Sequence, residues 1–111
     1  MLQHPEQQHC VPCSGAAKPL TGQELKDSLH EIPGWSISEE NGINRLVKRF
    51  SFHDFNEAME FSNKIWKLAE AEGHHPAILT EWGKVTVSWW THAIEGVHLN
   101  DVIMAAKTDK L

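Results

Sequence analysis

A chain of 111 residues is enough for one domain that buries roughly two-thirds of the surface exposed by its unfolded form. Ten basic against fifteen acidic side chains leave a net charge of −5, which argues against non-specific attachment to nucleic acid or anionic membranes; 41% hydrophobic residues argue against disorder over most of the length. No apolar run approaches the ~20 residues that cross a bilayer, and the first residues lack the basic start and apolar stretch of a secretory signal, so a soluble cytoplasmic protein is expected.

Residues 1–19 are polar and punctuated by Pro5, Pro12, Gly15 and Pro19, the composition of a flexible arm. The arm holds both cysteines, Cys10 and Cys13, spaced Cys-x-x-Cys. Two cysteines make no disulfide framework, and a zinc ribbon needs a second pair. His4 and His9 offer two further ligands, but no periodic structure flanks them; the strand-helix pattern of a thioredoxin-like redox motif is also missing. A structural or incidental role, a metal site and a redox pair all stay open.

Thr21 and Glu24 have the spacing of a capping box, with Leu20 and Leu25 at the positions of a hydrophobic staple. Leu25, Leu29 and Ile32 recur at helical spacing until Pro33-Gly34 stops the first helix. Trp35 to Ser38 alternates apolar and polar, Asn41-Gly42 suits a type I′ turn, and Ile43 to Phe52 is the return strand with Leu46, Phe50 and Phe52 on one face. Asp54 and Glu57 form a second capping box at the head of the longest helix. Phe55, Ala58, Met59, Ile65, Trp66 and Ala69 give that helix a broad apolar stripe, extended by Phe61 and Leu68, so part of it is expected to meet a partner subunit. Gly73 ends the helix, and Pro76 forces His75 out of helical angles. Ala77 to Trp82 and Lys84 to His92 form a second hairpin around Gly83, with Val85, Val87 and Trp89 on one face and His92 on the other. A closing helix spans roughly His98 to Lys110, with Leu99, Val102, Ile103 and Ala106 as its apolar stripe.

The order α-β-β-α-β-β-α predicts an α+β domain over residues 20–111: a four-stranded antiparallel sheet with three helices on one face. At least one sheet edge is then left unpaired, a natural place for a second subunit.

The chemistry-bearing stretch runs from Glu70 to Asp101 and holds His74, His75 and His92 at two changes of element. Three histidines can hold a catalytic zinc, but adjacent ones point in different directions, and the usual ligand pairs lie two apart on a strand or four apart on a helix. Nucleophilic catalysis finds no Gly-x-Ser-x-Gly elbow, no phosphate loop and no cysteine in the organised core. Metal-free acid–base catalysis needs only imidazoles, one giving a proton while another takes one, the division of labour in an elimination of water. Glu70 lies one helical turn before His74 and could orient the cluster, or be a solvated helix residue. Asp101 stands in the first turn of the last helix, where the dipole favours an acid in any case.

Glu70-x₃-His74-His75-Pro76, then Trp82, His92 and Asp101 at intervals of six, ten and nine positions, resembles the signature of the pterin-4a-carbinolamine dehydratases. The likeness covers residues 20–110, including Gly34-Trp35 and Phe52-His53-Asp54-Phe55, and leaves the Cys-x-x-Cys arm outside. It implies a hydro-lyase that converts 4a-hydroxytetrahydrobiopterin to the quinonoid dihydropterin, recycling the tetrahydropterin of aromatic amino acid hydroxylases without metal or prosthetic group. It implies that His74, His75 and His92 are catalytic, that Glu70, Pro76, Thr91 and Asp101 bind substrate or shape the pocket, and that the chain forms homodimers or homotetramers through sheet edges and the long helix. The alternative is a non-catalytic module of the same fold that binds a pterin or a protein partner.

Overall fold

The computed structural model describes residues 19–111; the predicted arm up to residue 18, with Cys10 and Cys13, lies outside the described residues. The elements are α1 (Gly22–His30), β1 (Ser36–Glu40), β2 (Ile43–Ser51), α2 (Phe55–Glu72), β3 (Ala77–Glu81), β4 (Lys84–Trp89), a 3₁₀ turn (His92–Ile94) and α3 (Leu99–Thr108). The α+β order α-β-β-α-β-β-α is the predicted one. All four strands are antiparallel, in the order β1-β2-β4-β3, so β1 and β3 are the edges.

Alternation along the strands decides which face is covered. Leu46 pairs with Trp89 and Phe50 with Val85 across the β2–β4 ladder. Leu46, Val85, Val87 and Trp89 are wholly buried on the face that receives the helices. There α2 packs on β3 and β4, and α3 on β2 and β4. Arg45, Val47 and Arg49 point the other way, because the side-chain period of a strand is two. At the first turn Asn41 and Gly42 both hold positive φ, 53° and 79°, as a type I′ hairpin requires.

Several local expectations are corrected. Thr21 has the extended backbone of an N-cap, but its side chain makes no capping hydrogen bond, so the predicted box with Glu24 is not formed. The staple residues Leu20 and Leu25 pack against the core all the same, and the Leu20 amide donates to the Val97 carbonyl at 2.7 Å. At α2 the Asp54 carboxylate does accept from the Glu57 amide at 2.8 Å, while Glu57 reaches one residue further back than expected, to the His53 amide. The closing helix buries more than one stripe: Asn100 to Ala106 and Thr108 are all buried, so α3 is enclosed on nearly every side. The fourth strand ends at Trp89, not His92. Thr91 instead bridges to Gly96, and that pairing pulls His92 into the 3₁₀ turn.

Candidate active site

Three elements meet at the C-terminal end of α2. Gly73 takes φ +65° and ψ 30°, the left-handed conformation that closes a helix, and turns the chain toward β3. His74 follows directly, half-buried, with its ring parallel to that of Trp89 (centroids 5.8 Å apart, planes inclined by 6°). Its Nε2 lies 2.6 Å from Oδ1 of Asp101. Asp101 is fully buried, and its other oxygen accepts from the Thr91 hydroxyl at 2.8 Å and from the His98 amide at 2.9 Å. A carboxyl group without solvent needs such partners, because an unpaired one would carry its whole desolvation cost. With those donors on Oδ2, Oδ1 is the acceptor facing His74. The network therefore assigns the proton of the imidazole to Nε2 and leaves Nδ1 as the acceptor.

The same carboxylate organises the start of α3. The His98 side chain accepts from the Asn100 amide at 3.3 Å while Asp101 accepts from the His98 amide, a reciprocal cap built from an unusual pair. Asp101 is thus cap, buried anchor and imidazole partner at once. Its position in the first helical turn accounts for the cap alone.

The other site candidates divide. His75 is exposed and pairs with the exposed Glu70, Nε2 to Oε2 at 2.6 Å. Pro76 is half-buried and leads into β3. His92 is also exposed, and its ring lies 4.5 Å from that of Trp90. Trp90 carries the Arg45 guanidinium over its ring at 3.9 Å. The structure thus joins His74, Thr91 and Asp101 directly, and Glu70 with His75; among the described residues no hydrogen bond or ring contact joins His92 to His74 or His75. His92 is the next residue after Thr91, so its backbone stands one ~3.8 Å step from a residue bound to the shared carboxylate. Trp82 stands at the far end of β3, 72% exposed, and the structure does not bring it to this corner.

Trp89, Trp90 and Arg45 are the residues that sequence reasoning missed as site neighbours. Trp89 and Trp90 have one signal in common: two adjacent indoles at a strand end must face opposite sides of the sheet. Among the described residues no group of three or more His, Cys, Asp or Glu is arranged to hold a metal ion. A cavity of about 440 Å³ opens along the first half of α2, lined by Phe50, Phe52, Phe61 and Lys64 among others, away from the histidines. No helix among the described residues is long and apolar enough to cross a membrane.

Fold and site together define a class: a small α+β domain whose candidate centre is built from imidazoles and carboxylates, the groups of acid–base chemistry. The family model described as pterin 4 alpha carbinolamine dehydratase matches residues 18–111. A provisionally named pterin-4-alpha-carbinolamine dehydratase of Chlorobaculum tepidum is 59% identical over 106 residues, 96% of each chain. One from Microcystis aeruginosa, named likewise, is 50% identical over 105 residues, 95% of this chain and 90% of its own. Among solved structures, the transcriptional coactivator/pterin dehydratase from Brucella melitensis superposes with a TM-score of 0.74 at 30% identity, covering 84% of this chain and 97% of that one. A pterin dehydratase-like protein described as a RuBisCO assembly factor in the alpha-carboxysome shares the fold, with a TM-score of 0.59 at 22% identity over 70% of this chain and 88% of that one. The chain belongs to the pterin-4-alpha-carbinolamine dehydratase family and is a hydro-lyase.

Proposed function

We propose that this chain dehydrates 4a-hydroxytetrahydrobiopterin to the quinonoid dihydropterin by histidine acid–base catalysis without a metal, and so returns the tetrahydropterin of an aromatic amino acid hydroxylase to use. The observation that carries the mechanism is the His74–Asp101 pair, in which a wholly buried carboxylate steadies one imidazole. In the elimination the C4a–O bond breaks with its electrons on oxygen, which takes a proton and leaves as water. The N5–H electrons become the new C4a=N5 bond, and the N5 proton goes to a base. His74 suits the base: Nε2–H points at Asp101, Nδ1 is the acceptor, and the carboxylate balances the positive charge that the ring gains. His92 is the proton donor to the departing hydroxyl. His75, with Glu70 behind it, and Pro76 and Thr91 shape the pocket around the pterin ring.

The protein acts in the cytoplasm as a homodimer or homotetramer. Phe55, Met59 and Trp66 support assembly: they are 46%, 38% and 57% exposed along one side of α2, beside the free edge of β3 where Leu79 is 57% exposed.

Stopped-flow decay of the carbinolamine, with and without the protein, is the direct test. His74→Ala and His92→Ala should each slow the catalysed step by roughly a hundredfold or more, the usual contribution of a placed acid or base. Wild-type rates in both variants sink the assignment. Binding of a pterin with no turnover by the wild type would establish the non-catalytic module instead.

A further inference from the structure

We infer that Trp90, held in place by Arg45, is the positioning residue that orients His92 for proton transfer; this rests on the catalytic role proposed for His92. The three motif histidines are restrained in different ways. His74 commits Nε2 to Asp101, and His75 commits Nε2 to Glu70. Among the described residues no side chain hydrogen-bonds to the His92 ring, and its ring contact is the Trp90 indole, at 4.5 Å and a tilt of 37°. His92 also opens a three-residue 3₁₀ turn and is exposed, so the local backbone gives its side chain little enclosure. A ring held by its face keeps both nitrogens open to substrate. A ring held through a nitrogen has given one of them away.

The indole is fixed from behind. Arg45 places its guanidinium 3.9 Å from the Trp90 ring centroid, and the same side chain is tied to Glu40 on β1 at 2.8 Å. Arg45 and Trp90 are neighbours on the sheet face opposite the helices, one step beyond the Leu46–Trp89 pair of the β2–β4 ladder. A cation over an indole is attractive and planar stacking suits a guanidinium, so the contact restrains the orientation of the indole. The line Glu40–Arg45–Trp90–His92 thus carries the rigidity of two central strands and an edge strand to a side chain on a short turn. Orientation of this kind acts on kcat, because a misaligned donor lowers the rate of the step without altering most of the binding contacts.

The test combines kinetics with a spectroscopic readout. Trp90→Leu should lower kcat by about tenfold with little change in KM, and Trp90→Phe, which keeps an aromatic face, should restore the greater part. Trp90→Leu added to His92→Ala should cost nothing beyond His92→Ala alone, since a positioning residue has nothing left to position. In the NMR spectrum, the His92 ring protons should move on Trp90→Leu as the ring current is lost, and move less on Arg45→Met. If His92→Ala is inactive while Trp90→Leu keeps the wild-type kcat, or if the double variant loses activity additively, the positioning role is wrong and the catalytic reading stands. If His92→Ala is itself as fast as wild type, it is the catalytic reading that fails. Should Trp90→Leu fold poorly, unshifted His92 ring protons in a folded Arg45→Met protein together with a wild-type kcat overturn the role of the Arg45 support.

Discussion

Asp101 shows how much one side chain can be asked to do. Its carboxylate accepts from His74, Thr91 and the His98 amide while wholly buried, so the start of α3, the end of β4 and the end of α2 are joined at one carboxyl group. Asp101→Asn keeps the shape but puts an NH₂ where one oxygen stood, so one of the three donors meets a donor. The variant should lose about 1–3 kcal/mol of stability in denaturant titrations, the cost of an unsatisfied buried polar group. It should also slow dehydration by at least about tenfold if His74 is the base proposed above, because the imidazolium formed on it would lose its balancing charge. A full rate with undiminished stability would show that the carboxylate is only a helix cap. From the chain alone Asp101 was already explained by its place in a first helical turn, and nothing local hinted that a residue 27 positions away would share it.

At the scale of elements, the site depends on how α2 ends. The helix runs through Glu72 and is closed by Gly73 at φ +65°, with no heavy atom within 4 Å of where a Cβ would stand. Gly73→Ala therefore meets no clash, only the backbone cost of a left-handed alanine, so the thermal midpoint should fall by an amount equivalent to about 1 kcal/mol. The turn carries His74, so the same variant should lower kcat more than this stability loss alone would. Unchanged kcat in a destabilised protein would mean that the His74 ring is placed by Asp101 and Trp89 and not by the turn. The glycine stop and the proline after His75 were legible because both act through their own backbone angles. The end of β4 was not: alternation in Val87, Trp89 and the residues beyond reads as continuing strand, whereas the Thr91–Gly96 bridge folds His92 into a 3₁₀ turn. That bridge depends on two backbone groups meeting across a loop, which side-chain periodicity does not register.

The whole molecule leaves large apolar side chains outside a core that is otherwise closed. Phe55, Met59 and Trp66 on α2, with Leu79 and Trp82 by the β3 edge, are more exposed than isolated surface hydrophobics need to be. Ser62 on α2 and Thr80 on β3 share a hydrogen bond at 2.7 Å, which places this side of the helix directly over the edge strand. A second copy adding to that edge would cover strand and helix together. Trp66→Glu should shift sedimentation at micromolar concentration to a smaller species than the wild type while the circular dichroism of the fold is kept, since the side chain is 57% exposed in the single chain. An unchanged sedimentation profile would move the contact away from this stripe. The stripe was expected as one broad face. The structure divides it into Ala58, Phe61, Ile65 and Ala69 beneath the helix and the exposed three beside it, a division that depends on how α2 is rotated on the sheet.

Periodicity, turn residues and helix stops act over a few neighbouring positions, so the element order, the antiparallel hairpins and the corner bearing His74-His75-Pro76 could be read in the chain of residues alone, as could the family resemblance carried by their spacing. The burial of Asp101, the parallel stack of His74 on Trp89, the turn that holds His92 against Trp90 and the enclosure of α3 required the folded molecule. Each arises where groups distant in sequence, or on opposite sides of a loop, come within bonding distance. Which of them meet is set by the packing of helices on a twisted sheet, a property no short stretch of sequence possesses.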